Sequence, residues 1–445
     1  MRNLIKLARN LISPLMSQVR GDVGLQNSLF LIASTGVMAL SGFVFWFISA
    51  RLYTPTEIGL SSTLVAAATT LALFSLLGFD NVLVRYLPNS SKPDRVIDTS
   101  LIITSLAAFV LSFVFIFTLE NVSPSLHAVL ASPLHRLIFI VGMVLVSINT
   151  LTDSVFISFR SAKYILIADT GLSIGKILLP LMLIGNGAYG LFIAYAVSVT
   201  IATIISIICL GKKFNYRFKP IIDKATLREV MTFSAGTYTT NLVAAVPMMA
   251  LPIIVTNALG GEQVAFFNLA MTIAAMLFII PRATANSLFA EISKNSSSIR
   301  QQTNRTAKQT AYLLVPLSVG LYFGSSLLLS IFGVSYSAGA TPALHIFAFS
   351  ALGLGINAIS QTLLKARHKL MPLFLIQFAG TVIMIALCWP LTRAYGVAGA
   401  AWAWLIGEYV MMLLHVIAIV PLLQNQPSEA SHFDAAPKQS IGEIA

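Results

Sequence analysis

Twelve long apolar blocks, separated by short segments that hold nearly all the basic residues, organise this chain. The blocks lie near 27–50, 58–78, 97–119, 137–158, 164–184 and 188–210. A second set lies near 230–256, 265–289, 309–332, 340–364, 371–392 and 395–422. Each holds about 20 residues or more, enough to cross a ~30 Å hydrocarbon core as a helix. The pattern predicts an all-α polytopic membrane protein with 12 transmembrane helices. No segment between the blocks is large enough to bury a core of its own.

Composition agrees. The chain is 57% hydrophobic and 10% charged, with a mean hydropathy of +0.85, whereas soluble domains carry roughly 25% charge. The basic residues add a direction. If the N-terminus is cytoplasmic, cytoplasmic segments hold 23 of the 28 Lys and Arg. The opposite loops hold Arg51, Arg136 and Arg393, and two more, Lys176 and Arg282, lie inside blocks. Basic residues near span ends stay on the cytoplasmic side, so both termini are expected there. The net charge of +12 then marks topology and attraction to anionic lipid heads, and calls for no nucleic acid.

The ends are read as accessories. Residues 1–26 form a cytoplasmic amphipathic N-terminus, with Leu4, Leu7, Ala8, Leu11 and Leu15 at helical spacing among Arg2, Lys6 and Arg9. The first strongly apolar stretch is too long for a signal-peptide core, so no cleavage is expected. Residues 423–445 are polar and read as a disordered cytoplasmic tail. Cys209 and Cys388 both fall in apolar blocks, so no disulfide framework is implied.

Two fragments recur at one spacing. Ala188-Tyr189-Gly190-Leu191 returns as Ala394-Tyr395-Gly396-Val397, 206 residues on. Thr56-Glu57-Ile58-Gly59 is echoed around Gly261-Glu262-Gln263-Val264, 205 residues on. The repeat divides the chain into an N-lobe (27–210), a basic linker (211–229) and a C-lobe (230–422). An even number of spans per lobe gives a pseudo-two-fold axis along the membrane normal, a plan suited to alternating access around a midplane site. Pro247 and Pro252 in span 7 and Pro281 in span 8 are candidate helix bends, because proline frees a carbonyl that membranes tolerate where helices line a cavity.

Charged groups at a helix centre cost roughly 2.5–3.5 kcal/mol on insertion scales. Lys176 and Arg282, with Arg85 beyond span 2, make a candidate cationic lining for phosphate or acidic sugar. Asp153, Asp169 and Glu408 would balance those charges or carry protons. The competing reading makes all of them interhelical glue. Asn149, Asn241, Asn357, Gln361 and Gln377 either line a hydrophilic cavity or pack helices, and the tryptophans offer no evident stacking site.

Enzymatic signals are weak. Gly171-Leu-Ser-Ile-Gly175-Lys176-Ile177 lacks one residue between its glycines and a Ser or Thr after Lys176, and it lies in an apolar block, so it is no phosphate loop. The six histidines show no metal-ligand spacing. No metal, no cofactor and no enzymatic activity is expected.

Leu52-Tyr-Thr-Pro-Thr-Glu57-Ile-Gly59, Gly78-Phe-Asp80-Asn-Val-Leu-Val-Arg85-Tyr-Leu-Pro88 and Tyr395-Gly-Val-Ala-Gly-Ala-Ala resemble the bacterial polysaccharide-biosynthesis flippases. Those proteins move O-antigen or exopolysaccharide repeat units and belong to the multidrug/oligosaccharidyl-lipid/polysaccharide exporter superfamily. The resemblance implies a V-shaped cleft between the lobes in a bacterial plasma (inner) membrane. It implies flipping of an undecaprenyl-pyrophosphate-linked oligosaccharide between leaflets, with Lys176, Arg282 and Arg85 on the pyrophosphate or acidic sugars. Membrane lipids, a glycan polymerase or glycosyltransferases are the partners it would bring. Two alternatives stand beside it: a proton- or sodium-coupled small-molecule exporter, and a non-transporting scaffold for glycan assembly. Against the exporter, span 1 from Asn27 to Ala50 contains no ionisable residue.

Overall fold

A computed structural model describes residues 23–223, 235–294 and 299–424. The expected N-terminal amphipathic segment up to residue 22, part of the linker and the tail from 425 lie outside the described residues. Within them the chain is helical, with 12 helices long and apolar enough to cross a membrane. The N-lobe contains α1 (Val23–Leu52), α2 (Pro55–Ser75), α3 (Phe79–Tyr86), α4 (Pro93–Val122), α5 (Pro124–Val129), α6 (Pro133–Ser158), α7 (Lys163–Met182) and α8 (Gly187–Phe214). The C-lobe contains α9 (Ala235–Leu259), α10 (Gly261–Lys294), α11 (Ile299–Ser330), α12 (Val334–Ala366), α13 (Leu370–Tyr395) and α14 (Val397–Gln424). In lipid only such helices satisfy every backbone group within the segment.

Local chemistry explains the motifs. The Thr54-Pro55-Thr56-Glu57 run is a capping box: the Glu57 N–H donates to Thr54 Oγ1 at 3.3 Å, and the Thr54 N–H donates to Glu57 Oε2 at 2.8 Å. Pro55 occupies the first turn, where its missing N–H costs nothing. At the other end of α2, Leu77 (φ 51°) and Gly78 (φ 84°) take left-handed conformations in succession. That pair stops the helix and turns the chain, so Arg85 lies on the separate short helix α3 and not on a continuation of span 2. Phe79, Val82 and Leu83 bury one face of α3 while Arg85 is exposed on the other.

The two lobes pack by one plan. In the N-lobe α1 lies along α7, α7 along α8, α8 along α6 and α6 along α4, with α2 set against α6 and α8. In the C-lobe α9 lies along α13, α13 along α14, α14 along α12 and α12 along α11, with α10 set against α12 and α14. The equivalent helices α2 and α10 begin 206 residues apart, as do α4 and α11. Across the lobes α2 packs on α10 and α9, so the pseudo-two-fold axis runs beside α2 and α10.

The linker is anchored where it leaves the N-lobe. Asp98, buried in the first turns of α4, accepts from Tyr216 Oη at 2.5 Å and from the Lys219 N–H at 3.3 Å. Thr99 Oγ1 accepts from the Asp223 N–H at 2.8 Å. Burial and the Asp98 charge hold the Tyr216 hydroxyl above the ordinary tyrosine range, so it remains a donor at neutral pH. A hydrogen bond to a charged group is worth about 1.5–3 kcal/mol. Tyr216→Phe is therefore expected to raise amide hydrogen exchange of residues 215–223 by ~10–100-fold. Unchanged protection would leave the anchor to the backbone bonds alone.

Candidate functional site

The face of the protein that carries Arg51, Gly59, Gly261 and Ile331 is closed between the lobes. Gly59 on α2 meets Gly261 on α10 so closely that a Cβ on Gly59 would lie 1.8 Å from the Gly261 carbonyl oxygen. Only paired glycines allow that approach. Around the contact, Asn268 Nδ2 donates to Ser62 Oγ at 2.7 Å, and the Thr63 and Thr256 hydroxyls lie 3.4 Å apart. Asn257 donates to the Val122 carbonyl at 2.5 Å. Arg51 at the end of α1 reaches the Ile331 carbonyl at 2.8 Å, and Phe43 and Phe47 pack edge-on against Phe332. A single hydrophobic cluster here joins Phe45, Tyr53 and Ile58 of the N-lobe to the core of the C-lobe.

Beyond this seal an inter-lobe cavity of about 440 Å³ opens between α1, α2, α9 and α10, the two repeat-equivalent helix pairs. Trp46 lines it from α1, and Ser62, Thr69 and Thr70 line it from α2. Pro247 and Pro252 line it from α9, and Asn268 and Thr272 from α10. The two prolines remove ladder bonds where α9 borders the cavity. The carbonyl of Val243, which Pro247 leaves without its helical donor, accepts from Thr381 Oγ1 of α13 at 3.1 Å. Asn268 and Trp46 escaped the sequence reading. Asn268 had one signal there: it lies 206 residues from its partner Ser62, the repeat spacing itself.

The expected cations fall in three different places. Arg282, just after Pro281, is exposed on the same face of α10 as Asn268 and Met271, since residues fourteen and eleven apart return to nearly one side of a helix. It lies about 15 Å along the helix from Thr272 at 1.5 Å per residue. Arg85 sits on α3 with its guanidinium 5.5 Å from the Tyr86 ring. Lys176 lies inside the N-lobe, its Nζ 5.4 Å from the Tyr195 ring centre. Among the described residues none of the three, Arg282 included, lines the inter-lobe cavity itself.

The acids sit inside the lobes. Asp169 accepts a short hydrogen bond from Ser34 of α1 and feels the Lys176 charge. Ser173 donates to Ser41 at 2.9 Å, and the Ala162 N–H donates to Asn27 Oδ1 at 2.7 Å. Asn27, Ser34 and Ser41 recur every seven residues, so this polar seam docks one face of α1 on α7. Asp153 on α6 lies within electrostatic range of Asp169. One oxygen each of Asp153 and Asn149 is buried without a hydrogen-bond partner among the described residues.

In the C-lobe Asn357 of α12 bridges two titratable groups of α14. Its Nδ2 donates to Glu408 Oε2 at 2.8 Å, and its Oδ1 meets His415 Nδ1 at 2.9 Å. All three side chains are buried, and Glu408 also senses Arg282. Leaving a buried polar group unpaired costs about 1–3 kcal/mol, so Asn357→Ala, which orphans both Glu408 and His415, should lower stability by ~2–5 kcal/mol. Thermal unfolding in detergent reads this against Ser360→Ala, whose hydroxyl donates within its own helix to the Ile356 carbonyl. Equal shifts for the two variants would remove Asn357 from that bridging role.

Comparison with known proteins fits this architecture. The lipid II flippase MurJ in an inward closed conformation superposes with a TM-score of 0.71 at 15% identity, over 88% of this chain and 87% of that one. An inward-facing multidrug-resistance transporter of the MATE family and MOP superfamily gives 0.65 at 14% identity, over 89% and 94% of the two chains. At those identities the likeness is one of fold. A Shigella flexneri protein whose name assigns it provisionally to O-antigen transport is 26% identical over 196 residues, 42% of this chain and 46% of that protein. The match therefore spans less than half of that relative's length. The profile of the family described as polysaccharide biosynthesis protein matches residues 25–277, more than half of the chain, and the chain is a multi-pass membrane protein that belongs to this family.

Proposed function

We propose that this chain is a flippase that moves an undecaprenyl-pyrophosphate-linked oligosaccharide from the cytoplasmic to the outer leaflet by alternating access. The observation that carries the reading is the cavity on the shared axis of two equivalent lobes, sealed at one face by the Gly59–Gly261 contact. Two equivalent lobes can rock about such a site and exchange which face is sealed. The sealed face is the one poor in Lys and Arg, which the positive-inside rule assigns to the outside. Both termini are then cytoplasmic, and the cavity faces the cytoplasmic supply of substrate.

Within this reading Arg282 holds the pyrophosphate, as a planar cation that forks onto phosphate oxygens. The sugar enters the cavity near Asn268 and Thr272. The polyprenyl tail stays in lipid beside α1 and α10, which form no extended packing with each other. Lys176, Asp153 and Asp169 serve charge balance within the N-lobe. The absence of any ionisable residue between Asn27 and Ala50 weighs against a coupled small-molecule exporter. The test is protein-dependent exposure of a lipid-linked oligosaccharide to an impermeant lectin in proteoliposomes. No exposure across several glycans, together with proton- or sodium-driven dye uptake, would replace this reading with the exporter.

A further inference from the structure

Among the described residues, the walls of the inter-lobe cavity carry no Lys, Arg, Asp or Glu. Their polar groups are hydroxyls and one amide, from Ser62, Thr69, Thr70, Asn268 and Thr272, beside the Trp46 indole. Thr69 Oγ1 donates to Val65 O at 2.9 Å, and Thr272 Oγ1 donates to Asn268 O at 2.7 Å. With their protons committed to their own helices, both hydroxyls keep lone pairs for an incoming O–H donor. A volume near 440 Å³ lies within the usual range for small-ligand pockets, about 300–1,000 Å³.

We infer that this cavity selects an uncharged glycan and discriminates against sugars bearing a carboxylate. The inference rests on the flippase reading above and names the substrate class of that same site. A sugar carboxylate entering here would leave water for a cavity without a counter-charge, an uncompensated desolvation. A neutral sugar places its hydroxyls on Thr69, Thr272 and Asn268 and its C–H face against Trp46, whose large amphipathic ring suits such a surface. Arg282, exposed on the same α10 face, lies about 15 Å further along by helix rise. That spacing separates a phosphate position at the mouth from an uncharged sugar position deeper in. Two of the acids are engaged inside their own lobes, Asp169 with Ser34 and Glu408 with Asn357.

The test compares three synthetic undecaprenyl-pyrophosphate-linked oligosaccharides in proteoliposomes of the full chain. They are identical except that one sugar is a hexose, the matching hexuronic acid, or the methyl ester of that acid. The hexose and the ester should flip at similar rates, each ~10-fold or more faster than the acid. Thr69→Arg should raise the acid-to-hexose ratio, a ratio that cancels differences in the amount of folded protein. Equal rates for acid and hexose overturn the inference while the flippase reading stands. An ester as slow as the acid also overturns it, because shape and not charge would then be selected. Movement of none of the three removes the flippase reading, and the inference with it.

Discussion

Arg282→Ala is expected to slow flipping of a pyrophosphate-linked oligosaccharide by ~10–100-fold without loss of folded protein. The magnitude follows from the ~1.5–3 kcal/mol of a hydrogen bond to a charged group, each 1.4 kcal/mol being tenfold. The side chain is exposed, so its removal opens no hole in a core. Arg282→Lys keeps the charge but loses the fork, and should recover part of the rate. Replacing the pyrophosphate by a neutral linker separates the two roles open to Arg282. If Arg282 binds phosphate, wild type and Arg282→Ala should then become equally slow. If Arg282 serves mainly to offset Glu408, the variant should lose thermal stability and keep its preference for the charged linker.

Gly59→Val should open the sealed face. The added carbon would fall on the Gly261 carbonyl, a backbone atom that moves only if α2 and α10 move apart. Overpacking costs about 1–3 kcal/mol, enough to shift the balance between sealed and open arrangements by ~10–100-fold. The Thr63 and Thr256 hydroxyls, 3.4 Å apart in the sealed state, supply the readout. Cysteines introduced at these two positions should cross-link readily when Gly59 is intact and poorly in the Gly59→Val variant. Gly36→Ala is the control, since a Cβ there meets no atom of the described residues within 4 Å. Cross-linking that survives Gly59→Val would show that the lobes absorb the clash without parting.

Much of the helical plan was legible in advance because it rests on local rules. The span beginning near residue 58 starts as α2 at Pro55, where Thr54 and Glu57 close a capping box. The 206-residue repeat in the motif around Tyr189 and Tyr395 returns as the spacing of α2 from α10 and α4 from α11. The family resemblance, read from the segments at 52–59 and 78–88, agrees with the family match over residues 25–277. Other placements were not legible. Arg85 was placed beyond span 2 with no element of its own, and the left-handed Leu77 and Gly78 set it on a separate helix. Asp169 lay open to cavity or packing roles until Ser34, 135 residues away, proved to be its hydrogen-bond donor. Among the described residues the amide that lines the cavity is Asn268, not one of the five amides marked in the sequence.

The amino-acid sequence by itself determined the number of spans, their apolar character, the twofold repeat and the family. Each follows from segment length, hydropathy or a short motif, and a helix in lipid must satisfy its backbone within itself whatever surrounds it. Only the tertiary structure decided which side of each helix faces a neighbour. Leu40 and Leu64 are the same residue type in adjacent spans, yet one is 70% exposed and the other fully buried. Lipid tails are as apolar as a protein interior, so hydrophobicity gives no preference for either side. Small residues and hydroxyls settle the matter instead, and these act only through contacts such as Gly59 with Gly261 and Ser62 with Asn268. The cavity is the space those contacts leave between the lobes, and its walls came into view only with the helices in place.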